Sequence, residues 1–198
     1  IVLNRRNDGF HNLYSLFIEI GLFDELVFTP SSDFKLSTDC ADDIQLPLDN
    51  TNLISRAYKL MRSKAGVVPS EYAVHLKKTI PSGSGLGGGS SNAASTLKAL
   101  NELWQLNYFS NKLETLGTQL GADVPFFIRG GFQLAEGIGE KLSPQDENIL
   151  RGLCFLLIIP AFHISTAEAY RILNKPLCPI ENHSIFVPVT RPVNWQLF

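Results

Sequence analysis

The chain has 198 residues, of which 44% are hydrophobic and 18% are charged, enough apolar material for one large domain or one domain and part of a second. Its formal net charge of −2 provides no broad basic field, so we expect no nucleic-acid partner. No apolar run approaches the roughly 20 residues that span a bilayer, so we expect no membrane partner either.

The first part of the chain predicts strands followed by a helix. Apolar stretches at 13–20 and 26–29, with an alternating segment at 33–38, lie between turn formers and predict a strand meander. Asn52 and its polar neighbours are suitable N-caps for a helix whose apolar residues recur from position 53 to 61. Alternating apolar and polar residues at 71–78 indicate a half-buried strand.

A glycine-rich loop at 82–89 separates that strand from two predicted helices, at about 91–104 and 111–120. Beyond the helices, residues 126–128 and 132–135 have the composition of strands around a Gly-Gly turn.

The last part of the chain begins with a polar, turn-rich stretch at 136–148, which fits a domain boundary. An apolar run at 153–159 predicts a buried strand that includes Cys154. The quartet Ser165-Thr166-Ala167-Glu168 has the pattern of a capping box and predicts the start of a helix. Strands and helices without a steady βαβαβ rhythm indicate an α+β fold.

The strongest chemical signal is the segment Pro81-Ser82-Gly83-Ser84-Gly85-Leu86-Gly87-Gly88-Gly89-Ser90-Ser91. Its five glycines allow the backbone to take positive φ angles and to approach a ligand closely. The helix that follows begins with unpaired N–H groups at the positive end of its dipole. Together these features predict an anion site suited to phosphates.

Three other interpretations of this loop are weaker. A flexible Gly/Ser linker is seldom held between a strong strand and an amphipathic helix. Gly83-x-Gly85-x-x-Gly88 matches the dinucleotide-binding pattern, but that fold needs an acidic residue after a second strand about 20 residues on, where this chain predicts helices. A Walker A loop needs a lysine directly after the glycines, and none follows them.

Asp123 lies in the segment Gly121-Ala122-Asp123-Val124-Pro125-Phe126-Phe127, directly after a predicted helix. Taken alone, these residues favour an N-cap, because Asp is common at that position and Pro in the first turn. The alternative is a carboxylate that accepts or orients the proton of a substrate hydroxyl during phosphoryl transfer.

The glycine loop resembles the phosphate loop of the GHMP kinase superfamily, which has the form P-x-G-x-G-L-G-(G)-S-S. Its triple glycine followed by Ser-Ser-Asn-Ala-Ala is similar to the version in 4-diphosphocytidyl-2-C-methyl-D-erythritol kinases. The Asp123 segment resembles the one that carries the catalytic aspartate of that family. Arg5-Arg6-Asn7-Asp8-Gly9-Phe10-His11 resembles its R-x-D-G-[YF]-H segment, and residues 160–170 match it more weakly.

The resemblance implies a GHMP-kinase N-terminal ATP-binding domain, similar to domain 2 of ribosomal protein S5, over residues 1–145. The start of a C-terminal α+β domain would occupy residues 146–198. It also implies a small-molecule kinase that uses ATP and Mg²⁺ to phosphorylate the 2-hydroxyl of 4-diphosphocytidyl-2-C-methyl-D-erythritol. That reaction belongs to non-mevalonate isoprenoid biosynthesis, in the bacterial cytoplasm or the plastid stroma.

The resemblance assigns roles to individual residues. Asp123 would be the catalytic residue; Phe10 would stack on the cytosine, His11 would hydrogen-bond it, and Thr166 and Tyr170 would complete the substrate site. We expect Phe10 and Tyr170 to bracket a flat slot near Asp123; the plainer alternative is that both rings only pack within the fold. The ATP-binding residues would be Pro81, Gly83, Ser84, Gly85, Leu86, Gly87, Gly88, Gly89, Ser90 and Ser91.

Two elements of that family are not found in this sequence. Its N-terminal motif, S-P-A-K-[IL]-N-[LF], would lie just before Ile1, and the glycine-rich motif of its C-terminal domain would follow the prolines at 176–192. We therefore expect the sequence to be truncated at both ends relative to this family. Two other functions stay open: a nucleotide-binding fragment without catalysis, and a GHMP kinase for another metabolite such as mevalonate or homoserine, against which residues 8–11 argue.

Overall fold

The computed structural model describes residues 2–39, 46–159 and 166–173. Within these ranges the chain forms two β-sheets and five α-helices, which confirms the predicted α+β class. The strands are β1 (Val2–Arg5), β2 (His11–Ile18), β3 (Glu25–Ser31), β4 (Lys35–Thr38), β5 (Glu71–Lys77), β6 (Phe132–Gly137) and β7 (Lys141–Pro144). The helices are α1 (Leu53–Ala65), α2 (Gly88–Leu103), α3 (Ser110–Thr118), α4 (Val124–Arg129) and α5 (Thr166–Ile172), with a 3-10 helix at Glu147–Leu150.

The first sheet has the order β1-β2-β6-β7, and all of its pairs are antiparallel. The second has the order β3-β5-β4, with β3 antiparallel and β4 parallel to β5. Helix α1 supplies the crossover that the parallel pair needs.

The prediction of a strand meander was therefore wrong, although the strands themselves are present. β2 and β3 belong to different sheets, separated by the connection at residues 19–24, and β3 and β4 both pair with β5 rather than with each other. Alternation in a sequence shows which face of a strand is buried, but it does not select the partner strand.

The main core lies between helices α1 to α4 and strand β5. Helix α1 contributes Ile54, Tyr58 and Met61, whose side chains are at most 2% exposed. The inward face of β5 belongs to the same core. The predicted α1 cap is confirmed, since the Asn52 side chain accepts a hydrogen bond from the Ile54 amide at 2.9 Å.

Residues 126–128 form part of helix α4 rather than the predicted strand, whereas the strand predicted at 132–135 is confirmed as part of β6. The reason for the helix is tertiary packing. A Cβ at Gly117 of α3 would lie 2.9 Å from Cγ1 of Val124, so the glycine allows α3 and α4 to approach closely. That packing outweighs the strand preference of Phe126 and Phe127.

The apolar run at 153–159 does not form the predicted buried strand. It has no regular secondary structure, Leu156 is 86% exposed and Cys154 is also exposed. An apolar run becomes a buried strand only where other elements cover it, and the described residues do not cover this one.

Within the polar stretch at 136–148, β7 pairs with β6, so residues 141–144 belong to the first sheet. The division of domains at residue 145 stays a prediction.

No helix within the described ranges is both long enough and apolar enough to cross a membrane.

We predict that Tyr58→Phe destabilises the fold. The buried Tyr58 hydroxyl accepts a hydrogen bond from the Tyr72 amide at 2.7 Å and donates one to Glu71 Oε2 at 2.8 Å. Removing it leaves a buried amide unsatisfied, which costs about 1–3 kcal/mol of unfolding free energy. Urea denaturation measures this loss. The matched control is Tyr108→Phe, whose more exposed hydroxyl donates to Lys64 O at 3.3 Å; equal losses in both variants would contradict the prediction.

Candidate active site

The glycine loop joins the end of β5 to the start of α2. Gly83, Gly85 and Gly87 have φ angles of 70°, 75° and 70°, a region that side chains disfavour. The Ser91 amide makes a helical bond to the Gly87 carbonyl at 2.8 Å. The amides of residues 88–90 precede it and have no carbonyl four positions earlier within the helix. Helix α2 thus begins three residues earlier than predicted, inside the loop, and its unpaired first amides therefore belong to the loop itself.

A cavity of about 350 Å³ opens at this loop. Nine of the ten predicted ATP-binding residues line it; Ser91 does not. The opposite wall includes Leu46, Pro47 and Leu53, at the segment that leads into α1. The sequence analysis did not predict this wall. The signal that could have indicated it is the pair of apolar residues Leu46 and Pro47, shortly before a capped helix.

Helix α4 lies against the first turn of α2. A Cβ at Gly87 would lie 2.6 Å from Cζ of Phe127, so this glycine rests directly on the aromatic ring. A Cβ at Gly121 would lie 3.9 Å from the Ser90 hydroxyl oxygen. These contacts place the turn that carries Asp123 beside the first turn of α2.

Asp123 occupies the N-cap position of α4, but its side chain makes no capping hydrogen bond. The N-cap position predicted for Asp123 is therefore confirmed, but its side chain does not cap the helix. The side chain reaches solvent beside a close turn, where a Cβ at Gly139 would lie 3.6 Å from Asp123 Oδ1. Partial desolvation of the carboxylate by neighbouring groups raises the pKa of Asp123 above its ordinary value.

Tyr170 and His11 meet near Asp123. Their rings stack with centroids 4.9 Å apart and planes 20° from parallel. Burial raises the pKa of the Tyr170 hydroxyl, and the charge of Asp123 raises it further, which places this ring within electrostatic reach of the carboxylate. Residues from β2, α4 and α5 thus converge on one region.

The predicted bracket of Phe10 and Tyr170 is corrected by this geometry, because the ring stacked on Tyr170 belongs to His11. Phe10 is 57% exposed. Successive side chains of an extended segment point to opposite faces, so only one of Phe10 and His11 can face Tyr170. Thr166 begins helix α5, but its side chain lies outside the described part of the structure.

A polar turn precedes His11. Arg6 and Asp8 form an ion pair at 2.9 Å, and Asp8 Oδ1 accepts a hydrogen bond from the Phe10 amide at 3.1 Å. The hydrogen bond from Arg6 holds the pKa of Asp8 below its usual value. The turn therefore fixes the direction in which the chain enters β2.

Residues 52–131 match the family described as GHMP kinases N terminal domain. This part of the chain is a GHMP kinase N-terminal domain. The chain is 43% identical over 172 residues to a 4-diphosphocytidyl-2-C-methyl-D-erythritol kinase of Prosthecochloris aestuarii, covering 86% of this chain and 58% of that protein. It is 42% identical over 188 residues to the kinase of the same name from Pseudomonas aeruginosa, covering 94% and 63%.

A solved structure agrees with these relatives. The crystal structure of a 4-(cytidine 5'-diphospho)-2C-methyl-D-erythritol kinase matches with a TM-score of 0.60 and 42% identity, covering 73% of this chain and 50% of that one. The chain spans less than two thirds of the length of these relatives. The residues that match the GHMP kinase family include the whole glycine loop and Asp123, but they do not include His11 or Tyr170.

The described residues of this GHMP kinase domain contain no group of three His, Cys, Asp or Glu side chains that could hold a metal ion by themselves. A metal ion can also be held jointly by protein oxygens and by a bound molecule. Mg²⁺ commonly binds in that way, through one or two protein oxygens together with substrate phosphates.

We predict that Asp123→Asn stabilises the fold at neutral pH. The folded protein favours the protonated carboxyl, so ionisation above the raised pKa of Asp123 costs folding free energy, and Asn cannot ionise. The gain should shrink as the pH falls towards about 4, the ordinary range of aspartate. Thermal unfolding at several pH values measures it.

Asp49→Asn is the control for this experiment. Hydrogen bonds from the Thr51 side chain and amide hold the pKa of Asp49 below its ordinary value. Its substitution should therefore not raise stability at pH 7. A gain for Asp49→Asn equal to that for Asp123→Asn would contradict the assigned environment of Asp123.

Proposed function

We propose that the protein is an ATP-dependent kinase that phosphorylates the 2-hydroxyl of 4-diphosphocytidyl-2-C-methyl-D-erythritol. The observation that carries the proposal is the docking of the Asp123 turn against the phosphate-binding start of α2. The names of the relatives support the choice of substrate.

ATP would occupy the cavity at the glycine loop. The wall formed by Leu46, Pro47 and Leu53 suits the apolar faces of a purine. The free amides of residues 88–90 would receive the phosphates, at the positive end of a 16-residue helix. The γ-phosphate would then lie towards the Asp123 turn.

The oxygen donors beside the loop fit a Mg²⁺ ion held mainly by the triphosphate. The Ser90 hydroxyl is the protein group beside the loop that would complete its ligands, which leaves the Asp123 carboxylate for the acceptor hydroxyl. The ion would supply neutralisation of the phosphate charge.

Asp123 would orient the acceptor hydroxyl and take its proton. A carboxylate with a raised pKa is a stronger base than an aspartate of ordinary pKa, and it has no capping bond to give up. The oxygen of the hydroxyl would attack the γ-phosphorus, its bond to phosphorus forming as the bond to the β-phosphate bridging oxygen breaks. The helix amides would stabilise the charge that moves onto ADP.

The cytidine end would be bound at the His11–Tyr170 pair. These two rings already stack on each other, so a base would lie on an outer face of the pair or separate it. The exposed ring of Phe10, the next residue in the chain, is available for a second stacking contact. His11 also carries ring nitrogens able to hydrogen-bond a base edge.

We predict that Asp123→Asn lowers turnover about 10²–10⁴-fold, the usual contribution of a general base. Phosphate binding should persist, because the loop amides do not depend on this side chain. ADP release from ATP and the cytidine substrate gives the rate, and calorimetry gives the affinity for ATP. Unchanged turnover would remove Asp123 from the chemistry. If the unaltered protein phosphorylates mevalonate or homoserine in preference, the proposed substrate is wrong.

We predict that Gly89→Ala weakens ATP binding without loss of stability. Gly89 is helical, and its added Cβ would make ordinary contact with Leu53 Cδ1 at 3.4 Å. Because Gly89 and Leu53 both line the cavity, the methyl group takes up space at the cavity wall without straining the fold. The control Gly87→Ala should weaken both, because its Cβ meets Phe127 and its φ is positive. Calorimetry and thermal unfolding separate the two effects. ATP affinity unchanged in Gly89→Ala would place the phosphates elsewhere.

A further inference from the structure

A buried ion pair lies directly behind the glycine loop. Lys78 Nζ and Asp24 Oδ2 are 2.7 Å apart, and their side chains are 6% and 1% exposed. Asp24 immediately precedes β3, and Lys78 immediately follows β5. The two strands pair here, so the ion pair continues the ladder of β3 and β5 towards the loop.

The carboxylate of Asp24 holds both ends of the loop. Its Oδ1 accepts hydrogen bonds from the amides of Thr79 and Ile80, at 2.7 and 2.8 Å, just before the loop begins. Its Oδ2 accepts from Lys78 Nζ at 2.7 Å and from the Asn92 side chain at 2.9 Å, and Asn92 belongs to α2, just after the loop. Lys78 also donates to the Ile80 carbonyl. One buried side chain therefore joins residues 79–80 to residue 92.

The ammonium group of Lys78 lies close to the loop itself. A Cβ at Gly88 would be 3.3 Å from Lys78 Nζ, and Lys78 lines the cavity. Burial alone raises the pKa of Asp24, but the hydrogen bonds from Lys78, Ile80, Thr79 and Asn92 outweigh it and hold that pKa below its ordinary value. Asp24 is therefore a fully charged anchor at neutral pH.

Stability alone does not explain such a pair, because well-packed apolar residues often replace a buried ion pair with no loss of stability. A loop with five glycines, however, has many conformations available, and binding must select one of them. An anchor that fixes both ends lowers the entropy lost on binding.

We propose that Asp24 is a positioning residue which, through Lys78 and Asn92, holds the glycine loop in its phosphate-binding conformation. The inference rests on the proposed ATP site. Its consequence is specific: loss of the anchor should weaken contacts to the β- and γ-phosphates more than contacts to the nucleoside.

The test compares ATP with AMP, which lacks the β- and γ-phosphates, by calorimetry on Asp24→Asn and on the double variant Asp24→Asn/Lys78→Met. Asn at position 24 retains an oxygen for the two backbone amides but presents an NH₂ group to Lys78 and Asn92. The double variant also removes the buried ammonium that would otherwise be left without a partner, and so it should recover thermal stability. The control is Glu25→Gln/Lys77→Met, which removes the exposed neighbouring pair at 3.0 Å on the same two strands.

We expect both Asp24 variants to bind ATP at least about tenfold more weakly, within the losses that misplaced groups cause. AMP binding should change much less, and the control should behave as the unaltered protein. The proposal is overturned if the folded double variant binds ATP normally, or if ATP and AMP affinities fall equally. Should Asp24→Asn fail to fold, the double variant decides. No ATP binding by the unaltered protein would instead refute the proposed function.

Discussion

The contact between Gly87 and the ring of Phe127 determines how the candidate site is assembled. Because a Cβ at Gly87 would lie 2.6 Å from that ring, α4 can approach the start of α2 only where a glycine stands. α4 begins directly after Asp123, and Phe127 lies one helical turn further on, so the contact that supports the loop also fixes the turn that carries the carboxylate. A positive helix terminus and a negative side chain are thus brought together. In the proposed reaction the helix terminus would serve the anionic phosphate donor, and the carboxylate would serve the hydroxyl acceptor.

The electrostatic environments on the two sides of the loop are opposite. Asp24, behind the loop, accepts several hydrogen bonds that hold its pKa below the ordinary value, whereas partial desolvation without a capping bond raises the pKa of Asp123. Two carboxylates with the same intrinsic chemistry are therefore suited to different tasks. Asp24 is suited to be a permanent anion that organises the backbone, and Asp123 is suited to the base that we propose.

Local features of the site could be predicted from sequence, because their chemistry lies in adjacent residues. The glycine loop and the Asn52 cap belong to this group, whereas Asp123 and Tyr170 are named as site residues only through the family resemblance. Features that depend on pairing across the fold could not be predicted. Asp24 and Lys78 are 54 positions apart and have no shared motif; the strand preference of residues 126–128 is overridden by packing on Gly117. The prediction that Phe10 and Tyr170 form a bracket was wrong by one residue. Neighbouring side chains of an extended segment point to opposite faces, so His11 rather than Phe10 stacks on Tyr170.

The connection at residues 19–24 explains how two separate sheets can support one site. At its start, the Glu19 amide donates to the Gly131 carbonyl at 3.1 Å, and Glu19 Oε2 accepts from the Gly131 amide at 3.0 Å, which ties the end of β2 to the turn between α4 and β6. At its end, Asp24 ties the start of β3 to the glycine loop. β2 carries His11, and the turn before α4 carries Asp123. One short segment, anchored by a carboxylate at each end, therefore sets the position of the proposed acceptor side relative to the proposed phosphate side. If the proposed function holds, a change in the length of this segment should disturb phosphoryl transfer more than binding at either side.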